Sequence, residues 1–296
     1  LAAVPSLSPT VVVTASLLLL GAAMVQSALV PFHRWLLSSM TAPTPVSGFM
    51  HAGIVNAGGV LLARFAPVVF ERPAVMLTIV VIGGVSALLG QAWMLVQTDV
   101  KRQLGTSTVA QMGFMVLQCG LGLVPAAITH LLLHGLYKAY LFLAAGSAVK
   151  ATQPGQASSS PSLVGSGVAL GSGLAGGVLF SVVTGKSVTS LGSGLLLTFF
   201  VVLAALHATR TLMRRSSLSP TVRLWAVPTV LLSSIGLYAI VYNGITAVLK
   251  PLPMTVMDVS LSPVHWVLVA VFAGAYVALE RGWHRTSTRL YVTLLN

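Results

Sequence analysis

The chain has 296 residues, 56% of them hydrophobic and only 7% charged, with a mean hydropathy of +0.94. Soluble domains carry about 25% charged residues, so the composition excludes an ordinary soluble enzyme or binding module and points to a polytopic membrane protein. A formal net charge of +12 would suggest nucleic acid in a soluble protein, but here nearly all Lys and Arg residues lie between or beside apolar runs, where loop charges set orientation.

Apolar stretches of about 20 residues, the length that crosses a bilayer as a helix, occur nine times: 10–30, 45–65, 74–97, 103–124, 126–150, 163–184, 190–208, 222–249 and 263–281. In lipid each reads as a helix, since an open sheet would leave backbone groups unsatisfied. The predicted fold class is therefore all-α, a polytopic transmembrane helix bundle. The chain begins at Leu1, and its first apolar run follows without a basic segment or cleavage site. That pattern argues against a signal peptide and reads as a piece of something longer.

Span one ends on Gln26 and Ser27. The loop into span two, Thr41 to Ser47, holds Pro43 and Pro45, which either kink the chain or cap the first helical turn. His51 lies about two turns into span two, with Asn56 five residues on. A lone histidine there is either a hydrogen-bonded structural residue or a proton carrier.

Asp99, Lys101 and Arg102 sit at the junction of spans three and four, as a loop ion pair and orientation signal or in a coupling role. Ser107, Thr108 and Gln111 follow in span four and, with Gln26, Ser27 and Tyr137, are the neutral groups expected to hold water. Cys119 is expected to be a small buried hydrophobe, and the chain has neither a CxxC nor a Cys/His metal spacing.

Span five carries His130, His134 and Lys138. Spacing by four places them on one helix face about 12 Å long. Each ionisable group at membrane depth costs about 2.5 kcal/mol or more, so such groups face a bundle interior or a water path and serve proton or ion movement. The four acids, Glu71, Asp99, Asp258 and Glu280, all lie away from span centres, so Lys138 has no obvious carboxylate partner.

Residues 151–162 form a Gln/Pro/Gly/Ser-rich connector, and 163–184 is so dense in glycine that either a close helix contact or a broken helix is expected. The second long loop runs from Pro251 to Pro263. Residues 282–296 mix aromatic and basic side chains, which suits an interfacial helix or the start of a tail. Loops after the odd-numbered spans hold eleven Lys and Arg residues against four on the other side. The positive-inside rule then puts residue 1 outside and the C-terminus in the cytoplasm. Paired carboxylates, a nucleophile with its base and a phosphate loop do not occur as motifs, so the chain reads as a transporter subunit and not as an enzyme.

Four motifs in order carry a family resemblance: QSALVPFHRWL (Gln26 to Leu36), APTPVSGFMHAGIVNAGGVLLARFAP (Ala42 to Pro67), QTDVKRQLGTSTVAQMGFM (Gln97 to Met115) and HLLLHGLYKAYLFLAAGS (His130 to Ser147). Over residues 20 to 150 the chain resembles the proton-conducting antiporter-like subunits of respiratory complex I and the Mrp sodium/proton antiporters. PFHRWLLSSMTAPTPVS, the second motif and the ending RLYVTLLN (Arg289 to Asn296) look most like the DabB type, the membrane subunit of Dab inorganic-carbon accumulation systems.

The resemblance implies a proton relay through His51, His130, His134 and Lys138. It also implies a cytoplasmic DabA-like partner, a zinc-containing, carbonic-anhydrase-like subunit, with no zinc or other cofactor in this chain. It divides the chain into a 1–150 antiporter-like core lacking its N-terminal helices, additional helices over 151–281, and a 282–296 cytoplasmic interfacial helix or tail, in a cell inner membrane. Where the family has a lysine ahead of its SA-x-x-P motif, proposed to pair with a glutamate on an earlier helix, this chain has Gln26. A glutamine bonds a water chain but stores no proton. A complex I or Mrp-type subunit is the alternative reading, and a non-conducting anchor for a soluble enzyme is a third.

Overall fold

The computed structural model describes residues 8–145, 163–186, 192–215, 219–252 and 259–282. The 151–162 connector, Lys150, Asp258, the centre of the second long loop and all but the first residue of the 282–296 segment lie outside the described residues. Those described build an all-α molecule that divides into two units, Leu1–Ala151 with Leu249–Asn296, and Thr152–Val248.

In the first unit, α1 (Pro9–Gln26) starts at Ser8, whose Oγ accepts from the Val11 amide at 3.4 Å, with Pro9 at the first helical position. It stops four residues short of the expected end. Ala28 takes a left-handed backbone (φ 52°), and Pro31 offers no amide to continue a helix. A short α2 (Arg34–Ser38) and a 3-10 turn (Ser39–Thr41) lead into the second span.

That second span is not one helix. It comprises α3 (Thr44–Ala52), a 3-10 turn (Ile54–Asn56) and α4 (Ala57–Arg64), with Gly53 at the C-cap of α3 (φ −115°, ψ −73°). The two prolines sit at the entrance and cap it; the break falls at the glycine. After the short α5 (Ala66–Val69) come α6 (Pro73–Val96), α7 (Val100–Gly120), α8 (Val124–Ala144) and, later in the chain, α12 (Pro263–Glu280).

Helices α6 and α7 pack backbone to backbone. Gly83 and Gly90 on α6, and Gly113 and Gly120 on α7, recur seven residues apart, and a Cβ at any of them would collide with the opposing main chain. Small residues of this kind let membrane helices approach closely. Helix α8 also packs against α7. Cys119 is fully buried there, as expected of a small hydrophobe.

The second unit holds α9 (Leu163–Thr184), α10 (Ser193–Arg215) and α11 (Pro220–Leu249). The glycine-rich α9 is unbroken. Gly173 and Gly177 face Leu206 and Val202 of α10, and Gly176 faces Ile235 of α11, so the close-contact reading holds. Helix α10 runs seven residues past its expected end, through Arg210, Arg214 and Arg215, because arginine is a good helix former.

Among the described residues seven segments are long and apolar enough to cross a membrane, rather than nine: Pro9–Gln26, Thr44–Arg64, Pro73–Val96, Val164–Thr184, Ser193–Met213, Leu224–Leu249 and Pro263–Glu280. The other two expected spans are α7 and α8. Both are helices of 21 residues, about 31 Å at 1.5 Å per residue, but their polar side chains lower their hydropathy. Several of those side chains, Thr108, His134 and Lys138 among them, are buried in the bundle interior.

Candidate functional site

The site lies where α3, α7 and α8 meet. On α7, Asp99 is the N-cap: its carboxylate accepts from the Arg102 amide at 2.8 Å, while Lys101 Nζ reaches the Ala42 carbonyl at 2.5 Å. Asp99 thus serves as a helix cap. Lys101 ties the start of α7 to the loop that enters α3.

One to two turns on, α7 presents the Leu104 carbonyl and Ser107 to Lys138 of α8, and Thr108 to His51 of α3. Lys138 is 1% exposed, and its Nζ donates to the Leu104 carbonyl at 2.8 Å and to Ser107 Oγ at 2.7 Å. Both partners are neutral. The Leu104 carbonyl, in the body of α7, also accepts the Thr108 hydroxyl at 3.0 Å.

Thr108 Oγ1 in turn lies 3.1 Å from Nδ1 of His51. His51, on the last turn of α3, is fully buried and stacks on Phe142 of α8, with ring centroids 4.6 Å apart. The His134 ring lies against the His51 backbone, and its centroid lies 5.9 Å from that of His130. Nε2 of both His51 and His134 is buried without a hydrogen-bond partner. Five side chains therefore run as one polar line: His130, His134, His51, Thr108 and Lys138, the last joined through the Leu104 carbonyl.

Of the other predicted residues, Ser107 flanks the line as an acceptor for Lys138, and Gln111 lies half-buried one turn further along α7. Tyr137 is 60% exposed and lies outside the line. Gln26 and Ser27 serve the break between α3 and α4: Gln26 Nε2 donates to the Ile54 carbonyl at 3.1 Å and Ser27 Oγ to the Val55 carbonyl at 2.6 Å. Asn56 Nδ2 closes the same break onto the Ala52 carbonyl at 2.6 Å. A helix break frees carbonyls that lipid cannot satisfy, and these three side chains satisfy them. Sequence reasoning missed the Leu104 carbonyl and Phe142, since a main-chain acceptor and a stacking ring carry no motif.

Comparison with known proteins places this geometry. The profile described as NADH:quinone oxidoreductase/Mrp antiporter, TM, matches residues 6–161, more than half the chain and all of the site. The chain belongs to the NADH:quinone oxidoreductase/Mrp antiporter family. Within that family it is 53% identical over 135 residues to the probable inorganic carbon transporter subunit DabB of Bacillus anthracis, covering 46% of this chain and 26% of that one. It is 49% identical over 137 residues to the probable subunit DabB1 of Halothiobacillus neapolitanus, covering 46% and 24%.

NADH-ubiquinone oxidoreductase chain 5 of Schizophyllum commune is 43% identical over 143 residues, covering 48% of this chain and 21% of that one. A chain in the solved Mrp complex from Dietzia sp. aligns with 93% of this chain and 28% of its own length, at 25% identity and a TM-score of 0.49. The chain thus spans about a quarter of the length of the DabB relatives it matches. It is a multi-pass, antiporter-like membrane subunit whose sequence is close to DabB.

Proposed function

We propose that this NADH:quinone oxidoreductase/Mrp-type subunit passes protons along His130, His134, His51 and Lys138 and lends the proton-motive force to a partner that accumulates inorganic carbon. The observation that carries the reading is the polar line itself. Lys138 and both inner histidines are buried inside helices of a membrane protein, where each ionisable group costs about 2.5 kcal/mol or more. An expense of that size suits proton handling and serves no packing need.

Imidazole takes and releases protons near neutral pH, and waters bridging the bare ring nitrogens would complete the path. Likeness to DabB subunits favours a DabA-like partner, with the zinc chemistry of CO2 hydration residing there, and an inner-membrane location with a cytoplasmic C-terminus. Catalysis then lies outside this chain.

The test places Lys138→Ala or His134→Ala in the full-length protein with its partner. Proton uptake into vesicles, and growth of a carbonic-anhydrase-deficient host at ambient CO2, are both expected to be lost. Unchanged flux and growth would remove these residues from the mechanism. The match to chain 5 of NADH-ubiquinone oxidoreductase supports a second reading, the same relay serving a complex I or Mrp-type assembly. In that case flux is lost while carbon-dependent growth is unaffected.

A further inference from the structure

The Thr108 hydroxyl has one hydrogen and two contacts that compete for it, the Leu104 carbonyl at 3.0 Å and His51 Nδ1 at 3.1 Å. Two arrangements are open. If Thr108 donates to Leu104, then His51 Nδ1 must carry a hydrogen and donate to Thr108 Oγ1, and both contacts are hydrogen bonds. If Thr108 donates to His51 Nδ1, the Leu104 bond is forfeited and the ring hydrogen moves to Nε2. Nε2 has no protein acceptor, so this arrangement makes one hydrogen bond among these groups where the first makes two.

A buried hydroxyl that both donates and accepts is better satisfied than one that only donates. The first arrangement therefore prevails, and it leaves Nε2 in the form that accepts a proton. We infer that Thr108 is a positioning residue that locks His51 in the tautomer with hydrogen on Nδ1 and holds Nε2 bare as its proton-accepting atom.

The lock extends to both neighbours. Lys138 Nζ donates to the same Leu104 carbonyl at 2.8 Å, so movement of the Lys138 amine changes how strongly that carbonyl competes for the Thr108 hydrogen. His134, like His51, has no protein hydrogen-bond partner at Nε2. Phe142 stacked on the His51 ring at 4.6 Å holds it against the flip that would exchange its two nitrogens. The two inner rings therefore both offer Nε2 to a proton, and that of His51 is anchored through Nδ1.

The inference rests on the proposed relay only for its effect on flux; the tautomer can be read independently. The test uses the full-length protein in its complex, labelled with 15N-histidine, with the spectrum of His51→Gln subtracted to assign the His51 signals. Protonated and bare ring nitrogens resonate in separate ranges. In the wild type His51 shows a protonated Nδ1 and a bare Nε2; in Thr108→Val, which matches threonine in shape, the hydrogen redistributes toward Nε2.

Proton flux in Thr108→Val falls by at least about tenfold, at or below the lower end of what a positioned acid or base contributes, and Thr108→Ser restores both signal and flux. Three results would overturn the inference: an unchanged tautomer in Thr108→Val, a loss of flux without a tautomer change, or a tautomer change without loss of flux. Normal flux in Lys138→Ala would instead sink the relay, leaving the spectroscopic result intact.

Discussion

Lys138 is held by two neutral oxygens, and that choice of partners decides what its replacement does. A buried charged group is weak evidence of stability, since well-packed apolar substitutes for buried ion pairs are often neutral or stabilising by about 1–4 kcal/mol. Lys138→Met is therefore expected to unfold at the same temperature as the wild type or higher, while proton flux is lost. Ser107→Ala in the wild-type background removes one of two acceptors from a buried amine and costs about 1–3 kcal/mol; in the Lys138→Met background it costs little, since the donor has gone. Thermal unfolding of the four proteins checks both, and an additive pair would show that Ser107 and Lys138 are not coupled. The His130, His134 and Lys138 spacing was legible in the sequence because a four-residue period is a local property of a helix. Tyr137, one position before Lys138, is turned about 100° away from it and is 60% exposed. The Leu104 carbonyl and the Thr108 contact depend on how α7 meets α3 and α8, which no local pattern encodes.

At the scale of elements, the broken second span is the feature that places His51. Gly53 ends α3 two residues after the histidine, and the freed Ile54 and Val55 carbonyls are taken up by Gln26 and Ser27 at the end of α1. Close approach makes this possible. A side chain on Gly58 would run into Ser27 Oγ and the Ala23 carbonyl. Gln26→Leu is expected to leave the Ile54 carbonyl unsatisfied and to destabilise the protein by about 1–3 kcal/mol, read as a lower unfolding temperature, and Ser27→Ala to do the same at Val55. Gln26→Lys keeps a donor in reach and is expected to fold normally. Equal unfolding temperatures for Gln26→Leu and the wild type would show that the break needs no outside donor. Glycine density pointed to α9 as a possible broken helix, and proline density to the entrance of span two. The actual break, at a single glycine, was hidden, because glycine serves both to end a helix and to bring helices together, and only the neighbours decide which.

For the molecule as a whole, the positive-inside count assigns sides to loops that flank the site, and the first unit supplies clean places to test it. Odd-numbered spans lead to the basic side, so Thr98, exposed just before α7, belongs in the cytoplasm, and Ala74, exposed at the start of α6, belongs outside. Lys101 and Arg102 beside Thr98 are the charges that set this assignment. Cys119, the single native cysteine, is fully buried and should give little background with a thiol reagent. In intact cells a membrane-impermeant maleimide is therefore expected to label Ala74→Cys in the full-length protein and not Thr98→Cys; in inverted vesicles the pattern reverses. Labelling of Thr98→Cys from outside would turn the first unit over. The Lys101 end of α7 would then face the outside, and a soluble, cytoplasmic carbon-handling partner would have to engage the opposite end of the relay.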